Sequence, residues 1–586
     1  MTSQHPESVD SPGTACVRPG STLAGTPSGS PRARPPARLV RGAVWGRLLL
    51  TAGTSLGVPG CGVPEIPEST LRATIERRSF EIVRERSWML TSLEAGYADA
   101  RGYLWLDGES LSTRGRELLS ALERAGEEGL DPEAYGVREL RAALDTLPAI
   151  PTTDSVGRTR ARVDVEIRLS TGLLAFARDL VNGRLDPDEA RQDWRIEPEP
   201  LPPDLLGRVR DGEGLDELFD SLRPRAPYYD RLVEVLATLR DVEARGGWPA
   251  VRVRSTPRIG RAADGIHSLR ARLLASEDSI ERTLAGFGGD SNVYDADLAG
   301  AVKRYQSRHG IEPDAVLGPS TVRELNTPVA TRIESVVLNL DRLRWLPRDL
   351  GRSAILVNVA GFEFALLEDH EPRMTMNVIV GRAEWATRVF AAKMDHLVLN
   401  PWWNVPQSIL ASELLPAARR DPAYLARNGF EVLGGAGAWD GTGTGGAFRG
   451  DFRVRQRPGA RNALGRVKFM FPNPYDIYLH DTPDDHLFGR SYRAFSHGCI
   501  RLERPLELAR HIVERHTSRP VADVDRALEG GRTVTIELER PLDVYVVYLT
   551  AWVEDEGTSH FYRDIYDRDD VLRGMVALPG PEASTH

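Results

Sequence analysis

The hydrophobic period changes once along this chain, and that change limits the folds open to it. From about Pro64 to Phe287 apolar residues recur at intervals of three and four, as in Arg116–Ala125 and Val163–Ala177, which predicts amphipathic helices. Turn signals at Gly129-Leu-Asp-Pro132, Gly183-Arg-Leu-Asp-Pro187 and Gly246-Gly-Trp-Pro249 separate them. After Thr327 the pattern turns to short runs rich in β-formers, at 354–360, 362–367, 373–380, 396–399, 467–471, 477–480 and 533–538. Two interruptions break this strand pattern. Residues 407–429 read as helical, and 434–450 are so rich in glycine that a mobile flap is expected there. Those glycines follow no strand–GxGxxG–helix order, which excludes a dinucleotide site. The pattern as a whole predicts a multidomain α+β chain.

Between the two halves, residues 291–326 form a unit of their own. Leu298, Val302 and Tyr305 fall on one helical face, His309-Gly310 ends that helix, and Gly318-Pro-Ser-Thr321 opens a second. Its AVKRYQ, HGI, DAVLGP and LN elements resemble the small three-helix peptidoglycan-binding module of bacterial wall enzymes.

At 586 residues the chain is long enough for three or four domains. A net charge of −9 argues against a surface built to bind phosphate over its whole extent, so no nucleic-acid partner is expected. The first 37 residues are rich in Ser, Pro, Gly and Thr without hydrophobic periodicity. Arg38, Arg41 and Arg47 follow, and then an apolar stretch, Leu48–Val58, too short to span a bilayer but suited to an export signal. Val58-Pro-Gly-Cys61 resembles a bacterial lipoprotein cleavage site, which predicts export to the periplasm or cell envelope with lipid attached at Cys61.

The cysteines are Cys16, Cys61 and Cys499, with no CxxC and no Cys/His pattern of zinc spacing. Loss of the leader and lipidation of Cys61 would leave Cys499 as the lone free thiol. It sits in Phe495-Ser-His-Gly-Cys-Ile-Arg-Leu502, downstream of Ile477-Tyr-Leu-His-Asp-Thr-Pro483. A neutral thiol is a poor nucleophile, so a neighbouring imidazole must accept its proton or stabilise the anion. His480 and His497 are both candidates. Gly498 lets the backbone turn tightly before the nucleophile and aim successive amides at one point, as an oxyanion hole requires. No third ligand stands at a credible spacing from these histidines, so neither a metal nor any other cofactor is expected.

Here the chain resembles the L,D-transpeptidase family with a YkuD-type catalytic domain. His480, then 15 residues, then Ser496-His-Gly-Cys499 follow the family pattern. Asn400-Pro-Trp-Trp-Asn-Val-Pro406, Arg457-Pro-Gly-Ala-Arg-Asn-Ala-Leu-Gly465 and His480-Asp-Thr-Pro483 also resemble family elements, and the domain order resembles the large periplasmic subgroup. The resemblance implies a disordered leader and export signal at 1–62, a helical scaffold at 63–287, a peptidoglycan-binding-like module at 288–328, a mainly-β catalytic domain at 329–565 with a flap insertion at about 407–450, and a tail at 566–586.

By that resemblance Cys499 attacks the diaminopimelate carbonyl of a donor tetrapeptide stem in peptidoglycan and releases D-alanine, and an amine resolves the thioester. The acceptor is either a second diaminopimelate stem or a protein lysine. His480 is carried over as general base and acid, oriented by the backbone carbonyl of Asp481. The amides of His497, Gly498 and Cys499 become the oxyanion donors, so His497 and Gly498 join the catalytic set. Arg501 either holds the loop or meets a substrate carboxylate. Tyr478, two positions before His480 and on the same strand face, lines the cleft with Ser496 and Trp402. Carbapenems are expected to acylate Cys499. Two other readings stay open, a hydrolase that gives the same thioester to water and a non-catalytic wall-binding protein.

Overall fold

A computed structural model describes residues 87–98, 102–188, 194–275, 292–433, 453–554 and 557–575, all within one compact unit that begins at Ile66. The leader with Cys16 and Cys61, the glycine-rich segment 434–450 and residues 576–586 of the tail lie outside the described residues.

The N-terminal part is helical, as its period predicts. Its axis is α1 (Ser155–Asn182), started by Asp154, whose carboxylate accepts the Gly157 N–H at 2.8 Å. Val163, Ile167, Leu173 and Leu180 of α1 are buried against Leu118, Leu122, Leu140 and Leu218. One departure matters for the rest of the molecule. Residues 194–195, within the stretch read as helical, are extended and pair in parallel with the start of a catalytic-sheet strand. Two residues are too few to show any period.

The helix α2 (Pro227–Ala244) packs on α4 (Val329–Arg344). The change to strands expected after Thr327 comes later than that, because α4 intervenes. Apolar Val336, Leu338, Leu340 and Leu343 are buried with the sheet core, and so are the charges between them. Arg344 ion-pairs with Asp341 at 2.9 Å and bonds Tyr229 Oη at 2.6 Å; Arg342 meets Asp569 at 2.5 Å. A helix buried on nearly every side shows no polar face, and its guanidinium groups are tolerable only because each is paired.

In the intervening module, α3 (Ala296–Arg308) is capped by Asp295 and buries Leu298, Val302 and Tyr305. Ile266, Leu269 and Leu273 of the preceding helix complete its core.

Among the described residues ten strands make the main sheet: β1 (Trp194–Arg195), β2 (Ser353–Asn358), β3 (Glu363–Glu368), β4 (Glu371–Gly381), β5 (Val389–Leu399), β6 (Val467–Met470), β7 (Leu479–His480), β8 (Ala494–Ser496), β9 (Ile500–Leu502) and β10 (Val534–Val547). Their order is β6-β7-β9-β4-β3-β2-β10-β5-β1, with β8 on β4, and β5 pairs back onto β6. The sheet thus closes into a ring of eight strands, which leaves few free edges. Strands β5 and β10 run well past the predicted stretches. Between β5 and β6 the chain leaves the ring. Residues 407–420 and 424–427 are helical, with a π-helical turn at Leu410–Leu414, and they pack on a small sheet of Trp403–Asn404, Arg453–Gln456 and Phe430–Leu433. Val405, Leu410, Leu414, Leu425 and Val454 form a separate core there.

Candidate active site

Strands β7 and β9 run parallel, with Leu479 opposite Ile500 and His480 opposite Arg501. On the other side Lys468 of β6 is opposite His480. Register partners share a face, so Lys468, His480 and Arg501 form one row. All three line a cleft of about 1130 Å³ together with Cys499, Tyr478 and Trp403.

His480 is buried, and its Nδ1–H donates to the backbone carbonyl of Asp481 at 2.5 Å. A carbonyl only accepts, so the neutral ring carries its proton on Nδ1 and presents a bare Nε2. Burial, then the Arg501 charge, with Lys468 adding to it, push His480 down to about 3. The Asp481 turn is itself fixed. Its carboxylate accepts the N–H groups of Arg466 and Thr482, both at 2.7 Å. Gly465 packs so closely that a Cβ there would lie 2.3 Å from Asp481 Cγ, which explains the glycine closing the Arg457–Gly465 element.

The Cys499 thiol faces the carbonyl of Asp476 at 3.7 Å. Asp476 has φ +53°, a left-handed conformation unusual for a residue other than glycine. Asn473 holds that turn by accepting the Tyr475 and Ile477 N–H groups and donating to the Phe471 and Ile477 carbonyls. Burial pushes the thiol up, opposed by the Tyr478 N–H and hydroxyl beside it, which favour the thiolate. The Tyr478 hydroxyl in turn is influenced by Trp403, which lines the same cleft, so a polar chain leads from the inserted segment toward the sulfur.

The nucleophile loop differs from expectation at three points. Ser496, expected to meet substrate, is buried, donating to the Cys499 carbonyl at 2.5 Å and accepting from the Gly498 N–H at 3.1 Å, so its hydroxyl is used to close the turn. The same bond removes the Gly498 amide from the expected oxyanion donors. Among the described residues no protein acceptor takes the Cys499 or His497 N–H. His497, grouped with the catalytic residues, has its Nε2 2.7 Å from Arg382 and 2.9 Å from Glu413, with Trp385 edge-on to the ring. Glu413 ties the loop to the inserted helices, and Arg382 and Trp385 tie it to the connection after β4. Gly498 adopts φ +110°, which only glycine takes easily.

Arg501 bonds Asp484 at 3.0 Å and so holds the loop after His480. Trp402 lines the cleft with one face covered by the Arg455 guanidinium, 3.9 Å from the ring centre. Trp403 stands in the cleft beside Trp402, whereas Asp476 and Lys468 do not stand out as site residues from sequence. For Asp476 the signal is Asn473-Pro-Tyr-Asp, a turn-forming run.

A thiol, an oriented neutral imidazole and an unspent N–H in one cleft are the parts of a nucleophilic acyl-transfer site. Comparison with known families points the same way. Residues 352–535 match the L,D-transpeptidase catalytic domain, YkuD; residues 91–236 match a scaffold domain; residues 279–325 match the family described as "Putative peptidoglycan binding domain". The chain therefore carries a YkuD L,D-transpeptidase catalytic domain behind a scaffold and a peptidoglycan-binding domain. A Haemophilus influenzae protein named "Putative L,D-transpeptidase" is 32% identical over 262 residues, which is 42% of this chain and 52% of the relative. The chain thus spans about half the length of that curated relative.

Proposed function

We propose that the protein cross-links peptidoglycan peptide stems through an acyl group carried on Cys499. The observation that supports this best is His480 itself, a neutral imidazole fixed with Nε2 bare in the cleft that holds the thiol. Because burial favours the neutral forms of both groups, the resting pair is thiol and imidazole. Attack of Sγ on the donor carbonyl transfers the thiol proton to His480 Nε2, and the imidazolium gives it to the leaving D-alanine amine. In the second half the acceptor amine loses a proton to His480 and attacks the thioester. The amide forms, the C–S bond breaks, and the sulfur recovers the proton. The Cys499 N–H stabilises the oxyanion in each half.

The peptidoglycan-binding domain supports the wall polymer as substrate, and the cell envelope follows as the place of action. Among the described residues no helix is long and apolar enough to cross a membrane; a lipid anchor would rest on Cys61, outside them. The purified protein, incubated with tetrapeptide muropeptides and resolved by mass, should yield cross-linked dimers. Shortened monomers alone would mean hydrolysis, and no change in a folded protein would leave only wall binding.

A further inference from the structure

Away from the cleft, three ligand-type side chains converge where the hairpin of Ala551–Val553 and Ser559–Phe561 lies beside the ring. Glu363 opens β3, Glu554 follows the first hairpin strand, and His560 is central in the second. One ligand atom from each lies within 4.8 Å of the other two. His560 is 8% exposed, and Glu554 Oε1 stands 3.2 Å from its Nε2, close enough for the two charges to couple but out of line for a hydrogen bond. Two polar atoms so close yet out of hydrogen-bond alignment suit a shared third atom better than each other. A tetrahedral ion with ligand bonds of about 2.0–2.2 Å sets its ligand atoms about 3.3 Å apart, close to that separation.

The surroundings fit. Glu363 Oε1 accepts the Tyr562 hydroxyl at 2.7 Å, the kind of outer partner that orients a ligating carboxylate. Two arginines bear on the cluster, Arg493 on Glu363 and Arg308 on Glu554. Arg493 directs its guanidinium to the carbonyl oxygens of Arg490 and Phe362. A cavity of about 520 Å³, bounded by Glu363, Glu554, Trp552 and Tyr228, gives a route for an ion and room for a water ligand.

We propose that Glu363, Glu554 and His560 bind a divalent first-row cation of the zinc class, with water completing a tetrahedral set. Two carboxylates and one imidazole balance a charge of +2, and the nitrogen ligand favours zinc over magnesium or calcium. The ion would clamp the hairpin onto β3. Phe561 of that hairpin stacks on His309 of the intervening module, ring centres 5.9 Å apart, so the clamp also steadies the surface on which that module rests. The three ligands are too scattered in sequence for any spacing rule to find them.

The test is titration of metal-stripped full-length protein with Zn²⁺ by calorimetry, with thermal denaturation in parallel and Mg²⁺ and Ca²⁺ as comparators. The expected result is one Zn²⁺ per chain that raises the melting temperature, with the hard cations inert. Glu554→Gln, at an exposed side chain that poses little risk to folding, should weaken Zn²⁺ at least tenfold and leave the Cys499 alkylation rate unchanged; His560→Gln should do the same. Co²⁺ in place of Zn²⁺ should show no thiolate charge-transfer band. No binding, binding indifferent to Glu554→Gln, or a thiolate band that disappears when Cys499 is alkylated would each overturn the proposal.

Discussion

His480 and Arg501 are register neighbours on two parallel strands, so their side chains leave one face of the sheet from backbones about 4.8 Å apart. Lys468 takes the opposite flank. A buried base placed between two half-buried cations stays neutral, ready to take a proton but not to store one.

That arrangement fixes a pH dependence. In the unfolded chain His480 gains a proton below about 6.5, whereas in the folded protein it does so only near 3. Between those values the unfolded state binds more protons, so stability rises with pH across the window and is lost as pH falls toward 3. Imidazole NMR should show His480 neutral from pH 5 to 8, and Arg501→Gln should raise its pKa. A native His480 that titrates near 6.5 would refute the assignment.

The two histidines should separate in kinetics. His480→Ala should lower kcat/KM by about 10²–10⁴. His497→Ala, which breaks contacts with Arg382 and Glu413 but leaves the Asp481-oriented imidazole in place, should cost less than His480→Ala. The reverse ranking would make His497 the base.

Tyr478→Phe should slow Cys499 alkylation at neutral pH several-fold, because it removes a hydroxyl that favours the thiolate. Trp403→Phe should act in the same direction and more weakly, through Tyr478. Equal rates in all three proteins, measured as a function of pH, would show that the polar chain has no hold on the sulfur.

Gly465→Ala should destabilise the fold by about 1–3 kcal/mol, from its φ of +58° and the overlap with Asp481. Thermal unfolding measures that cost, and activity should fall with it as the Asp481 carbonyl shifts from His480. An unaffected melting temperature would mean that the turn is looser than its contacts imply.

Much of this was legible in the sequence because it is local. The three-and-four spacing of Val163–Ala177 sets a helix, and the His480 and Ser496-His-Gly-Cys499 motif names the thiol and its base. What was not legible depends on pairings between distant residues. Helix α4 lost its polar face because Arg342 and Arg344 find partners at Asp569 and Asp341 in a buried interface. The ring closure rests on β5 pairing with both β6 and β10, and the strand at Trp194–Arg195 is too short for any period. Ser496 illustrates a different limit, since a hydroxyl beside a nucleophile reads equally well as a substrate contact or as a turn closure, and only the bonds to Gly498 and Cys499 decide.

The most direct test is the mass of the acylated protein. Full-length enzyme incubated with a carbapenem, digested and mapped should carry the intact drug on the peptide containing Cys499, and folded Cys499→Ala should carry none. An adduct on another residue, or none after long incubation of folded wild-type protein, would contradict Cys499 as the acyl carrier.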